Sequence, residues 1–154
     1  MILAIDPGNE FSAYVVLDKN LKPICFEKIK NEELREKFFD IMMDYPIKNV
    51  AIEMIACYGM AVGKTVFDTC IFIGQLKELA LTTDVIPKFI YRKEEKMNLC
   101  HTMKAKDSNV SQALRDRFGE KGTKKNKGWF YGFKADVWQA YAVGVTYHDL
   151  YIKK

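Results

Sequence analysis

The chain has 154 residues, of which 49% are hydrophobic and 13% aromatic, and 24 Lys and Arg against 20 Asp and Glu give a formal charge of +4. This size and apolar content fit one folded domain over residues 1–154 that buries a full core without disulfide or metal staples. The apolar runs are too short and interrupted to span a bilayer, and the run starting at residue 2 has no basic leader or cleavage site, so it reads as a first strand in a soluble, cytoplasmic protein.

Ile2 to Ile5 form a strand-like run that delivers Asp6 into Pro7-Gly8-Asn9-Glu10, after which Phe11 to Leu17 return as a second strand. Asp6 then stands at the mouth of a sheet, as a turn cap or as a functional carboxylate. Asp18-Lys19-Asn20 is a turn by composition, and Leu21 to Ile29 complete an antiparallel meander. A helix is expected from Asn31 as N-cap, with Glu32 and Glu33 in its first turn. Leu34, Phe38, Ile41, Met42 and Tyr45 form its inner face, and Pro46 stops it.

Lys48 to Glu53 is a short β-branched strand that again ends in a carboxylate. A strand reached through a crossover helix normally pairs parallel to a strand already in the sheet, so Asp6 and Glu53 are expected to converge at one edge. Gly63 to Leu81 reads as a helix apolar nearly all round, either a central core helix or one that packs in part against a second copy of the chain. Val85 to Ile90 offers a fifth strand, with Pro87 suited to an edge.

Asp107 or Ser108 caps a helix running through Phe118, and Gly119 ends it. Glu120 to Gly128 is a basic loop carrying Lys121, Lys124, Lys125 and Lys127, followed by the aromatic stretch from Trp129 to Phe133. Ala135 to Tyr147 is a last helix with Asp136 in its first turn and Gln139 three residues on along the same face. The helix dipole alone would favour an acid at Asp136. Cys25, Cys57, Cys70 and Cys100 are dispersed, which reads as reduced thiols, and Cys100-His101 lacks the second cluster a metal site or nucleophile would need.

Asp6, Glu53 and Asp136 are thus candidates for one acidic cluster at the edge of a five-stranded sheet. Hard oxygen donors suit Mg²⁺ or Mn²⁺. Two such ions roughly 3.5 to 4 Å apart hold the attacking water and the leaving oxygen of a phosphodiester in line, which is nuclease chemistry.

Ile2-Leu3-Ala4-Ile5-Asp6-Pro7-Gly8 with Ser12, Val50-Ala51-Ile52-Glu53, and Ala135-Asp136 opening the last helix resemble RuvC, the Holliday junction resolvase of the RNase H-like superfamily. The likeness extends over nearly the whole chain, and the stretch from Glu53 to Gly63 followed by Phe67 to Gly74 looks most like the phage-encoded branch. The resemblance implies an α/β RNase H-like fold, with a five-stranded mixed sheet of antiparallel meander plus parallel strands flanked by helices. It further implies a homodimer that nicks four-way DNA junctions symmetrically with Mg²⁺, for which Mn²⁺ would substitute, and that acts in recombination, repair or phage DNA processing.

Asp6, Glu53 and Asp136 would then be metal ligands. Gln139 stands where the family usually places another aspartate, and it offers a carbonyl oxygen without charge. A family lysine that steadies the cleaved phosphate lies near Lys104 and Lys106; Lys106 would take that role or contact backbone phosphate. Lys88, Arg92, Lys93 and Lys96, diluted by Glu94 and Glu95, would join Lys121, Lys124, Lys125 and Lys127 in lining a groove for phosphates. Tyr58 would stack against an opened base pair at the junction centre or pack into the core.

Two other classes are weighed against this. An actin-like sugar kinase or ATPase needs two related domains, which 154 residues do not hold. A catalytically weak or inactive RNase H-like module that only binds branched DNA would explain Gln139 but not the three retained acids.

Overall fold

The computed structural model describes residues 1–153. Its first half follows the alternation of the sequence: β1 (Ile2–Asp6), β2 (Phe11–Leu17) and β3 (Pro23–Lys30) form an antiparallel meander. Helix α1 (Asn31–Asp44) then crosses to β4 (Asn49–Met54), which pairs parallel to β1, and α2 (Lys64–Thr82) leads to β5 (Lys88–Tyr91), parallel to β4. The sheet order is β3-β2-β1-β4-β5, so the mixed five-stranded sheet read from the sequence is the one observed. Helices α3 (Arg92–Cys100), α4 (Asp107–Phe118) and α5 (Val137–Tyr147) complete the fold, with a π-helical turn over His148–Ile152. No helix among the described residues is long and apolar enough to cross a membrane.

Because side chains alternate along a strand, the sheet divides its residues cleanly between two layers. Leu3, Ile5, Tyr14, Val16, Val50 and Ile52 pack with α1 and α2, whereas Ala4, Ala13, Val15, Ala51 and Ile90 pack beneath α4 and α5. Small residues line the second layer. Ala4, Ala13 and Ala51 let α5 lie close to the sheet, and a Cβ added at Gly144 would fall 2.5 Å from Leu17 Cδ1 and 3.0 Å from Ala4 Cβ.

Three expectations shift in detail. Strand β3 begins at Pro23, because Asp18 Oδ1 accepts from the backbone N–H groups of Asn20 and Lys22 and holds the turn open as far as Leu21, at φ 65°. Asn31 is the first helical residue and Lys30 the N-cap, since the Asn31 side chain is committed to contacts elsewhere. Helix α5 starts at Val137, which makes Asp136 its N-cap residue, not a member of its first turn.

Helix α3 is an element the sequence reading did not foresee. Its one buried residue is Glu95, a charged group, so it shows no apolar stripe. On α2, Thr69, Phe72, Ile73, Leu76 and Ala80 face the core, while Phe67 and Ile71 lie on the outer face, 56% and 62% exposed.

The close seat of α5 generates a prediction. Gly144→Val should destabilise the protein by about 1–3 kcal/mol through overpacking against Leu17 and Ala4, both fully buried. Urea denaturation should show this as a lower midpoint at unchanged slope.

Candidate active site

Pairing of β1 with β4 sets Ile5 opposite Ile52, so Asp6 and Glu53 follow at neighbouring positions where the two parallel strands end. They share the side-chain parity of Ala4 and Ala51, which turns both toward the α5 layer. Glu53 pairs with Ile90 of β5, and the next turn of chain opens α3 with Arg92. Asp136 and Gln139 stand at the start of α5. The sequence-predicted acids therefore come to one edge of the sheet from three directions.

The loop that follows Asp6 is tied down by a small buried network. The Gly8 N–H donates to Ser12 Oγ at 3.1 Å, the Ser12 hydroxyl donates to Asn31 Oδ1 at 2.7 Å, and Asn31 Nδ2 donates to the Gly8 carbonyl at 2.9 Å. Asn31 thus joins the first turn of α1 to the loop instead of capping the helix. Gly8 is required here, because a Cβ would lie 2.2 Å from the Phe11 carbonyl oxygen.

On the other side, the approach to Asp136 is fixed by aromatic packing. Phe130, Phe133, Trp138 and Tyr141 pack with ring centroids 4.7 to 5.5 Å apart. The Tyr141 hydroxyl donates to the Leu21 carbonyl at 2.8 Å and accepts from Trp129 Nε1 at 3.0 Å. That buried anchor holds the segment from Trp129 to the head of α5 against the sheet.

Electrostatics dominates the cluster. Burial, and then the charge of Glu53, push the Asp6 carboxyl up to about 9, with Asp136 adding to the effect and Arg92 opposing it. Burial also raises Glu53, against the pull of Arg92, and one carboxylate oxygen of Glu53 is buried without a hydrogen-bond partner. Lys28 on β3 pairs with Asp136 at 2.5 Å.

Arg92 is the hub. Its guanidinium donates to Gln139 Oε1 and to Asp107 Oδ1, lies 3.1 Å from Glu95 Oε2, and stands 3.9 Å from Glu53 Oε2. By sequence Arg92 falls among groove-lining cations and Glu95 is a diluting charge; in the structure both turn inward to the acids. The signal that could have found them is positional. They sit three residues apart on a helix that begins where a parallel strand ends, at the edge that already receives Asp6 and Glu53.

The side chains are chemically suited to a hard divalent cation: every acid offers oxygen only, and the unpartnered Glu53 oxygen faces a site crowded with negative charge. As they stand, Lys28 and Arg92 offset part of the acidic charge, and among the described residues no three acidic, histidine or cysteine groups are drawn together tightly enough to hold an ion.

The remaining candidates sit farther out. Lys106 is the N-cap of α4, beside Asp107, and Lys93 and Lys104 are exposed. Lys121, Lys124, Lys125 and Lys127 lie on a tight hairpin, closed by a Gly122–Lys127 bridge and by a Thr123 N–H donated to the Asn126 carbonyl at 2.9 Å. Phe118 and Trp129 stack at its base, 5.5 Å between centroids. The expected loop is thus an ordered turn that holds its lysines outward. Tyr58, 65% exposed at φ 47°, stands clear of the core, just beyond the end of β4.

No protein-family model matches the sequence, and no curated protein matches it. Solved structures do. The fold is similar to that of RuvC from T. thermophilus in complex with a Holliday junction substrate, with a TM-score of 0.77 at 15% identity, over 99% of this chain and 94% of that one. It is also similar to a Thermus thermophilus RuvC structure, with a TM-score of 0.75 at 17% identity, over 99% of this chain and 95% of that one. The architecture is therefore the RuvC-type, RNase H-like fold.

Burial of Asp6, and then the like charge beside it, make stability depend on pH. Because the folded protein holds the Asp6 proton more tightly than the unfolded chain, that group's contribution is complete below the ordinary value of 3.8 and is lost as pH rises toward about 9. In chelator, Asp6→Asn should therefore raise the Tm more at pH 8.5 than at pH 5, by about 2–4 °C for each kcal/mol relieved. Calorimetry at the two pH values checks this; an equal fall at both would show that Asp6 carries no such repulsion.

Proposed function

We propose that this chain is a structure-selective endonuclease that resolves Holliday junctions and other branched DNA by metal-dependent phosphodiester hydrolysis with paired symmetric nicks. The observation that carries the reading is the meeting of Asp6 and Glu53 at adjacent ends of parallel strands, turned toward the head of α5 that bears Asp136. The likeness in fold to a RuvC solved with a Holliday junction substrate supports the choice of DNA substrate.

Asp6, Glu53 and Asp136, with the carbonyl oxygen of Gln139, are the residues that would hold Mg²⁺ or Mn²⁺, two ions in each site. When bound, the metal supplies Lewis acidity toward the scissile phosphate and a nucleophilic water at neutral pH. The protein's own part is positioning. The network of Gly8, Ser12 and Asn31 keeps the Asp6 loop rigid, the Tyr141 anchor fixes Asp136, and Lys106 at the rim steadies charge on the phosphate.

Lys93, Lys104 and the hairpin lysines would contact backbone phosphates, and Tyr58, exposed beside the end of β4, would stack on an opened base pair. The outward Phe67 and Ile71 of α2 support a homodimer through that helix, which would set two sites on one junction. Residues 1–154 form one nuclease domain in this reading, of the phage-encoded branch, acting in the cytoplasm of the host cell.

A second reading, a branched-DNA binder with weak or no catalysis, is favoured by one specific feature, the Gln139 amide engaged by Arg92. One gel series separates the two. Labelled four-way junction, fork and plain duplex are incubated with Mg²⁺ or with chelator. Paired nicks in the junction alone, dependent on metal, are expected, and Asp6→Asn should cut about 100-fold more slowly or worse while binding the junction as before. Wild-type protein that binds junctions but leaves them intact with Mg²⁺ and with Mn²⁺ is a binder only.

The hairpin lysines have their own signature. Replacing Lys124 and Lys125 together by Ala should weaken junction binding whatever its sequence, and lower the slope of log affinity against log salt by roughly 2. Fluorescence anisotropy at several salt concentrations measures both effects.

A further inference from the structure

Among the described residues, Glu95 is the one carboxylate fully withdrawn from solvent, at 0% exposure. One of its oxygens takes the Arg92 guanidinium at 3.1 Å, and the other, Oε1, is buried with no hydrogen-bond partner. An ion pair that served the fold alone would leave that second oxygen dry and unused, an arrangement proteins rarely keep.

Its location gives the oxygen a purpose. Strands β1, β4 and β5 run parallel, so all three end at one edge of the sheet. The first delivers Asp6, the second Glu53, and the third passes straight into α3, whose first turns carry Arg92 and Glu95. A single guanidinium reaches Glu53, Glu95 and Gln139, which sets these three side chains around one small volume. The charges of Glu53 and Asp6 both act on Glu95, which places its carboxylate beside theirs.

We infer that Glu95 is the fourth acid of the divalent-cation site, supplying from α3 the charge that the neutral Gln139 does not supply from α5. The inference rests on the reading of the Asp6, Glu53 and Asp136 cluster as a metal site. In it, Arg92 stands in for cationic charge among these acids, and Glu95 Oε1 is the donor held ready for the ion. Gln139 serves to seat Arg92 and adds little to affinity.

The test is calorimetric titration of Mn²⁺ into the full chain, comparing wild type, Glu95→Gln and Gln139→Ala, with circular dichroism confirming the fold of each. Wild type should bind Mn²⁺, Glu95→Gln should bind it about 10-fold or more weakly, and Gln139→Ala should change the affinity by less than about 3-fold. A Glu95 that only braces the fold would lower the Tm and leave the Mn²⁺ affinity of the folded protein unchanged, which overturns the inference while the metal reading stands. Gln139→Ala weakening Mn²⁺ more than Glu95→Gln also overturns it. Wild type that binds no Mn²⁺ overturns both the inference and the metal reading beneath it. Should Glu95→Gln fail to fold, Glu95→Asp keeps the charge but draws the carboxylate back by one methylene; wild-type Mn²⁺ affinity in that variant refutes the assignment, and a comparable loss supports it.

Discussion

The parallel pairing of β1 with β4 is the constraint on which the rest of the structure depends. Once Ile5 is set opposite Ile52, the next residue on each strand is a carboxylate, and the alternation of side chains sends both to the same face. A slip of one residue in either strand would turn one acid into the layer of α1 and α2 and bury an isoleucine's partner in the other. The two apolar layers hold the register, since Leu3, Ile5, Val50 and Ile52 are all fully or almost fully buried. Like charges are thus forced together by hydrophobic packing that has no regard for them.

That forced proximity explains the cations around it. Arg92 and Lys28 come from opposite borders of the sheet, one just past β5 and the other on β3, and both reach inward to acids. They differ in kind. Lys28 and Asp136 are both roughly 40–50% exposed, so their pair is screened by water and adds little to stability. Arg92 is more deeply set and its planar fork serves four oxygen-bearing partners at once, a geometry that a lysine could not reproduce.

How much of this could be read from the sequence depends on what kind of residue did the folding. The meander, the crossover helix and the parallel β4 were legible because alternating and helical apolar patterns faced a core, and the ends of those strands located Asp6 and Glu53. Helix α3 was not legible, because its inward residue is Glu95 and a hydrophobic pattern cannot register a helix anchored by a carboxylate. Asn31 misled for a related reason: an asparagine before Glu32 and Glu33 has the chemistry of a cap, yet its side chain forms better contacts with Gly8 and Ser12. Both misses concern polar groups: Asn31 is satisfied 19 and 23 residues away, which no local pattern encodes, and Glu95 pairs with Arg92 only three residues away but carries no apolar signal. The departure at Gln139 was visible in the sequence, but its partner Arg92, 47 residues away, was not.

The charges gathered at the sheet edge do not cancel. Among the described residues, the carboxyl groups of Asp6, Glu53, Glu95, Asp107 and Asp136 are set against Arg92 and Lys28, so full ionisation would leave a negative excess there. Burial first, and then this neighbouring negative charge, raise the proton affinity of Asp6, Glu53 and Glu95, and a proton is the smallest cation able to relieve the excess. A divalent ion held by the same oxygens, as proposed, would have to displace those protons, and its affinity would then fall as the solution becomes more acidic, the sign expected of any carboxylate site. Proton uptake and guanidinium pairing, and the metal ligation proposed here, are then answers to one electrostatic demand that begins with the strand register.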